Sequence, residues 1–446
     1  MLTAHVLSAH TDVVVIERDT LPAEPEHRKG LPQANHVHML WSGGAEAVDA
    51  LLPGALAALE AAGARRIPLT TGMVAYSPHG WFRRWKESHY AVACHRDLLD
   101  WVVRRQVLDA PDSGITVLQG TTVLGLTGSP EAVTGVDIST ADGRQDFLRA
   151  DLIVDASGRG SGTPLWLGSL GGQRPALRVV DSGLVYASRL YQAPPGLPDD
   201  WPIVNVQADP RGAGPGQAGV ILPIEDGRWL VTLSGTRGGE PGNDGDAFVD
   251  FALGLRHPLV GELIKRADPL GPVHVTRMTA NRRHFYEKVA LPANFLVLGD
   301  AVAAYNPTYG HGMSVAAKSA LTLRDMIQRY DCATPDFTGR VQKAVARHVD
   351  LAWTFAVGTD VFYRGATENG PTLSERLAAR FVDRLTLTAT GSGRMARDLT
   401  DVVTLQKGPE RLLTPSTLVA AARGPLKPRL AEPPLSPEER RAVEST

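Results

Sequence analysis

Short apolar runs alternate along this chain with stretches in which apolar positions recur every three to four residues, and glycine, proline or aspartate marks most of the switches. Residues 2–10 read as a helix already under way, and residues 12–19 as a buried strand closed by Glu17, Arg18 and Asp19. A loop from Arg28 to Trp41 follows, then an alanine-rich helical stretch through Glu46 to Ala62. Residues 71–92 read as strands about a turn at Pro78, His79 and Gly80. His95, Arg96 and Asp97 open a helix whose apolar positions include Leu98, Trp101, Val102 and Val103. Alternation over 115–155, with a turn at Asp142 and Gly143, predicts a β meander feeding a strand that ends at Asp155. Strand signals dominate from Leu184 to about Val275, interrupted by a Gly/Pro-rich loop at 210–219. Residues 341–424 are mostly helical, and the proline-rich tail from Pro425 is expected to be extended or disordered.

That order predicts an α/β protein of two intimately joined domains. Its 446 residues, 43% hydrophobic and 21% charged, supply ample core. A net charge of −2 argues against a nucleic-acid partner, which calls for a basic face. Cys94 and Cys332 form neither a disulfide framework nor a metal pattern, so a reducing cytoplasm is the default. The first residues do not read as a signal peptide, and no stretch approaches the length of a membrane span.

Residues 295–313 carry the strongest chemical signal. A short apolar strand, Phe295 to Leu298, ends in Gly299 and Asp300. The chain then crosses Pro307, Gly310, His311 and Gly312 into an alanine-rich helix starting near Met313. Glycines let backbone approach a ligand closely, and the free N–H groups of a helix start favour negative charge. A carboxylate at the strand end accepts hydrogen bonds from the hydroxyls of a ribityl or ribose chain. An ordinary strand–turn–helix would use these glycines only to turn, but the combined spacing fits a flavin.

This run resembles the Gly-Asp motif of the FAD-dependent monooxygenases of the para-hydroxybenzoate hydroxylase type. Residues 151–161, from Asp151 through Asp155 to Gly158 and Ser161, resemble the second signature of that class. Residues 12–19 resemble the second strand of its dinucleotide fold. Within the class the chain is similar to the flavin-dependent epoxidases of polyether ionophore biosynthesis. That similarity rests on Arg28 to Gln33 with His36 and His38, Leu40 to Gly44, Pro223 to Trp229, Ser234 to Gly239, Asn281 to Arg283 and Glu432 to Leu435. The resemblance implies a discontinuous FAD-binding Rossmann-like domain (1–70, 93–170 and 276–340), an inserted β-sheet substrate domain (71–92 and 171–275), and C-terminal helices with a Pro-rich tail (341–446).

A dinucleotide fold opens with a strand and a Gly-x-Gly-x-x-Gly turn. No such strand or turn precedes the first helix here, and Gly158 to Gly160, Gly168 to Gly172 and Gly310 to Gly312 are in the wrong places to substitute. One explanation is a start placed too late, in which case the codons upstream in frame would encode a Val/Leu-rich strand and a glycine turn. The other is a truncation that cripples cofactor binding.

By this resemblance Glu17 would take the adenosine ribose hydroxyls, with Arg18 beside it, and Arg96 would lie near the ribityl and pyrophosphate, where a guanidinium pairs two oxygens. A plain surface acid and a helix-start arginine are the alternatives. Asp300, after Gly299, would bind the ribityl chain, Asp155, in the second signature, would be a further cofactor-binding residue, and Arg28 and Lys29 lie on a flavin-side loop. Past Pro307 and Gly310, Gly312 and Met313 would offer N–H groups near the flavin pyrimidine edge. His27, His36 and His38 could be imagined as metal ligands, but no further ligand set appears, and hydrogen bonding to backbone and flavin is the plainer role. Tyr76, Trp81, Tyr186, Tyr191, Trp201 and Trp229 could line an apolar tunnel, although each is more often core.

The resemblance implies oxygen transfer from a flavin C4a-hydroperoxide to the alkenes of a polyene polyketide, with O2 and with NADPH or NADH supplying electrons directly or through a flavin reductase. A carrier protein is a further expected partner. An aromatic or polyketide hydroxylase of the same class is the alternative, and an inactive scaffold is the third. The flavin would carry the chemistry, so no catalytic side chain is assigned.

Overall fold

A computed structural model describes residues 1–86, 88–110, 113–330 and 336–444; Cys332 lies outside the described residues. The helix Leu2–Ser8 leads into the strand Val13–Ile16, which pairs in parallel with Ile115–Leu118. A second parallel pair joins Ile153–Asp155 to Phe295–Val297. Among the described residues no ladder links the two pairs. The expected meander therefore begins later than alternation suggested: Ile115–Leu118 belongs to the parallel layer, and Thr122–Gly128, Val133–Ser139 and Gln145–Arg149 form the antiparallel meander.

The second layer is a seven-stranded sheet in the order Asp268–Thr276, Val185–Gln192, Arg228–Gly235, Gln217–Pro223, Ile203–Val206, Met73–Ser77 and Gly80–Trp81. All its pairings are antiparallel except Ile203–Val206 with Met73–Ser77. Side chains alternate across a strand, and here the two faces meet different neighbours. Trp229, Val231 and Leu233 pack with Phe248 and Leu259, while Leu230 packs on the other side with Met39, Trp41 and Ala91. The sheet thus lies across the small sheet of Met39–Trp41, Tyr90–Ala93 and Arg65–Pro68.

Two expectations from sequence change, and the core reading of the aromatics holds for four of them. Residues 184–275 contain two helices, Gly245–Leu253 and Leu259–Ile264, beside the strands. Both are too short to show a period, although Asp244 caps the first by accepting from Asp246 N and Ala247 N. Of the aromatics proposed for a tunnel, Trp81, Tyr191, Trp201 and Trp229 are buried between sheet and helices, and Trp201 stacks on Trp229. Residues 425–444 of the tail pack down: Arg84 Nη1 donates to both carboxylate oxygens of Glu439 at 2.7 and 2.9 Å, Leu430, Leu435 and Val443 pack on the sheet domain, and a helix spans Pro437–Glu444.

The C-terminal helices are locally encoded. Leu373–Gly391 starts with a capping box, in which Thr372 accepts from Glu375 N and Glu375 accepts from Thr372 N. The helix Ser42–Leu51 packs against the long helix Gly312–Arg329 at the closest approach two backbones allow. A Cβ on Gly44 would lie 2.5 Å from Ser314 Cα. Gly44→Ala is expected to destabilise the fold by about 3 kcal/mol through overpacking against backbone that cannot yield. An unchanged urea midpoint in this variant would show that the helices can part at no cost.

Candidate functional site

The strand Phe295–Val297 is fully buried, and Gly299 then turns with φ +64°, a conformation costly for a side chain. No heavy atom lies within 4 Å of where its Cβ would be, so the turn faces open space. Asp300 follows in this turn. The residue is exposed, with protein enclosing its carboxylate on one side. That enclosure raises its pKa, while the Arg159 and then the Arg96 guanidinium pull it down. Among the described residues its oxygens accept no protein hydrogen bond at all.

Past Asp300 the chain pairs Ala303–Ala304 with Arg282 and Arg283, forms a turn at Pro307–Tyr309, reverses at Gly310 (φ +64°) and enters Gly312–Arg329. Trp41 fixes the reversal: its Nε1–H donates to Tyr309 O at 3.1 Å, and a Cβ on Gly310 would come 3.2 Å from that nitrogen. Gly312 opens the helix, and a Cβ there would sit 3.6 Å from Asp300 Oδ1. The first N–H groups of the helix, at Gly312 and Met313, therefore lie beside the carboxylate. His311 is 3% exposed and donates from Nε2 to Val403 O at 2.9 Å. Burial holds it at about 4, so it is neutral.

Glu17, at the end of the first strand, accepts from Asp19 N and from Arg28 Nη1 at 3.1 Å. Arg28 also reaches Asp100 at 3.4 Å, and Arg96 lies 3.9 Å from the same carboxylate. One chain of charges thus runs from Glu17 through Arg28 and Asp100 to Arg96, whose field acts on His38 and Asp300. Gly30 N donates to Asp19 Oδ2, pinning the loop to the strand end. Arg18 and Lys29 are exposed beside this cluster rather than within it. His27 lies 3.9 Å from Asp97.

Asp155 requires a correction. It is buried, and its carboxylate accepts four hydrogen bonds from its own loop, from Ser157 N, Ser157 Oγ, Ser161 Oγ and Thr163 Oγ1. A carboxylate has about four acceptor sites, so none is left for a ligand. Asp155 holds the 157–163 turn in place. That turn carries Arg159, which sequence reasoning weighed only for its flanking glycines. Arg159 donates to Ala280 O at 2.7 Å and Tyr305 O at 3.3 Å, and its charge faces Asp300.

The sheet closes the site from the other side. His36 and His38 are not in a strand; they follow a 3₁₀ turn, and His38 donates from Nδ1 to His36 O at 2.8 Å. His36 Nδ1 meets Ser188 Oγ at 2.7 Å, Ser188 meets Thr232 Oγ1 at 2.6 Å, and Thr232 accepts from Val37 N. Tyr186 stands edge-on to His36 and pairs with Thr308 Oγ1 at 2.7 Å. Burial, more than the neighbouring cations, holds His36 at about 4 and His38 at about 3. Among the described residues no group of three or more His, Cys, Asp or Glu could hold a metal ion. Two surface cavities, of about 480 and 380 Å³, lie elsewhere, around Tyr286 and Gln342 and around Trp201 and Arg228.

The flavin end of an FAD fits this arrangement. Asp300 offers free acceptors beside a helix start, and Tyr305 OH, His311 Nδ1 and Ser314 Oγ are buried there without a hydrogen-bond partner among the described residues. Glu17 retains acceptor capacity for ribose hydroxyls, but among the described residues no glycine turn stands between the parallel pairs to cradle a diphosphate.

No protein-family model matches the chain. Over 379 residues it is 31% identical to protein Rv3254 of Mycobacterium tuberculosis, covering 82% of this chain and 79% of that one. A stretch of 119 residues, a quarter of each chain, is 29% identical to kynurenine 3-monooxygenase of Xanthomonas oryzae. The fold is shared with the flavin-dependent brominase Bmp2 (TM-score 0.61, 14% identity, 95% of both chains). It is shared too with the myxobacterial chondrochloren halogenase CndH (0.60, 17%, 92% of this chain and 94% of that one). The p-nitrophenol 4-monooxygenase PnpA of Pseudomonas putida has it as well (0.61, 15%, 92% and 94%).

Proposed function

This chain belongs to the family of Mycobacterium tuberculosis protein Rv3254, with the fold of the FAD-dependent monooxygenases and halogenases, and from that premise we propose that it is an FAD-dependent monooxygenase that epoxidises the alkenes of a polyene polyketide. The observation that carries the flavin assignment is Asp300. An acceptor without protein hydrogen-bond partners among the described residues stands beside the start of an 18-residue helix, flanked by the fields of Arg159 and Arg96. Bound FAD would supply the oxygen chemistry.

The chain's own residues bind, orient and exclude water. Asp300 would take the ribityl hydroxyls, and the N–H groups of Gly312 and Met313 would favour negative charge on a flavin beside the helix start. Glu17 would take the ribose, and Arg96 would balance phosphate charge. Gly310 and Trp41 fix the loop whose Thr308 touches the sheet through Tyr186.

The proton chemistry of the sheet face supports this substrate class. A base that activates a phenol works best with a pKa near the operating pH. His36 and His38, at about 4 and about 3, are weak bases at neutral pH, and burial raises Tyr186 above its ordinary value. An alkene needs no deprotonation. The hydroxyl cluster Tyr186, Ser188 and Thr232 favours a second reading, hydroxylation of an aromatic or polyketide whose oxygen these groups would hold. Electrons would come from NADPH or NADH directly or through a reductase, and a carrier protein could present the substrate.

The test titrates the protein with FAD, then supplies NADPH or NADH, a flavin reductase and O2 together with either a long linear polyene or a phenol. Gain of one oxygen by the polyene, with a rigid pH profile above 6, supports epoxidation. Oxidation of the phenol alone supports the second reading. A chain that takes up no FAD fails the proposal altogether.

A further inference from the structure

Between Asp300 and the helix at Gly312 the chain pairs Ala303–Ala304 with the strand Asn281–His284, and the loop beyond, with one turn at Pro307–Tyr309, must hold Gly310 and the helix start in register with the sheet. Its anchor lies 54 residues away in sequence. Asp360, the last residue of the helix Phe337–Asp360, is 2% exposed, and its carboxylate gathers three donors. Oδ2 accepts from Asn281 Nδ2 at 2.7 Å and Asn306 Nδ2 at 2.8 Å, and Oδ1 accepts from Tyr309 OH at 3.1 Å. Asn306 is held twice, because its backbone N–H donates to Asn281 Oδ1 at 2.7 Å. The Asn306 side chain in turn accepts from Thr308 N at 3.0 Å. Both ends of 306–309 therefore hang on one carboxylate.

Resting on the reading of this loop as the flavin-facing segment, we propose that Asp360 is a positioning residue, whose carboxylate locks Asn306 to Gly310 in the conformation the site requires. A buried charge costs several kcal/mol unless it is paired or fully hydrogen-bonded, and an apolar residue would fill the same space more cheaply. Here, among the described residues, no cation pairs with it. The ionisable groups that feel its charge are the Asp181 carboxylate and the phenols of Tyr186, Tyr309 and Tyr363. Neutral donors alone hold the carboxylate, and they all come from the loop and the strand behind it. Burial accordingly lifts its pKa to about 6, with Asn306, Asn281 and Tyr309 pulling the other way. Above that pH the bonds to the loop are charge-assisted, roughly twice as strong as neutral ones. Below it, the added proton turns one donor away and the lock weakens.

Amide hydrogen exchange on the protein without flavin or substrate tests this directly. Asp360→Asn is expected to speed exchange at Thr308 and Gly310 by about tenfold or more at pH 7.5, with residues 340–357 unchanged. Corrected for intrinsic rates, loop protection in the wild type should fall as pH passes down through 6, and should be flat in Asp360→Asn. Asp350→Asn, which removes the partner of Arg283 from the same helix, should leave the loop alone. If Asp360→Asn does not fold, Asn306→Ala should release the same amides while Asp360 keeps its other two donors. Unchanged loop exchange, equal loss of protection along the whole helix, or the same effect from Asp350→Asn would each overturn the proposal. Because no flavin is present, failure of FAD to bind would reject the assigned function and leave this result standing.

Discussion

Asp300→Ala is expected to weaken FAD binding by about 10- to 100-fold while leaving the fold as stable as before. Hydrogen bonds to a charged group contribute roughly 1.5–3 kcal/mol, and the variant would remove those made to the ribityl hydroxyls. The protein itself loses little, because the carboxylate accepts no protein hydrogen bond among the described residues and its enclosure already raises its pKa. A stability change within about 0.5 kcal/mol is the expectation for a side chain with no such partner. Quenching of flavin fluorescence during titration measures the first quantity and a urea melt the second. Unaltered affinity would remove Asp300 from the site, and a lowered melt would make it a structural residue instead.

Acid should unfold this protein well above the pH at which its carboxylates titrate. His36 and His311 are 2% and 3% exposed and are held at about 4, against about 6.5 in the unfolded chain. Between pH 6.5 and 4 the unfolded chain binds protons that the folded one refuses, so stability falls as pH falls. Each group loses about 3 kcal/mol over that window, at about 1.36 kcal/mol per unit. His348, at about 4, and His38, at about 3, act in the same direction. Asp360, raised to about 6, acts oppositely: between pH 6 and 4 its folded state holds a proton the unfolded chain lacks, which offsets about one histidine. The balance of four imidazoles against one carboxyl, about 9 kcal/mol, is comparable with the whole stability of a typical fold, roughly 5–15 kcal/mol. Urea midpoints at pH 7.5, 6 and 5 should therefore drop steeply. His311→Gln should drop less, since an amide can still donate to Val403 O and does not titrate. A flat profile would mean that these imidazoles are charged or solvated in the folded state.

Much of the candidate site was legible because its signals are local. The apolar strand before Gly299, the turn at Pro307, the reversal at Gly310 and the helix from Gly312 lie within nineteen consecutive residues and follow from glycine freedom, proline's fixed φ and helix periodicity. Glu17 at a strand end and Arg96 at a helix start were legible for the same reason. Partners were not. Arg159 meets Ala280 across 121 residues and His36 meets Ser188 across 152, and nothing in the spacing of either pair announces the contact. Asp155 was misjudged in the same way: its motif marks a turn beside the cofactor, but only its four local donors show that the carboxylate is used up inside the turn.

The sequence by itself determined the α/β alternation, the Gly299–Asp300 turn and the helix start that faces it, because each depends on backbone preferences over a few residues. Only the tertiary structure decided which charges and hydroxyls converge on that turn, that the imidazoles of His36 and His311 stay neutral, and that Asp360 holds the loop. Those properties depend on desolvation and on distances between segments far apart in the chain, and no local pattern encodes them.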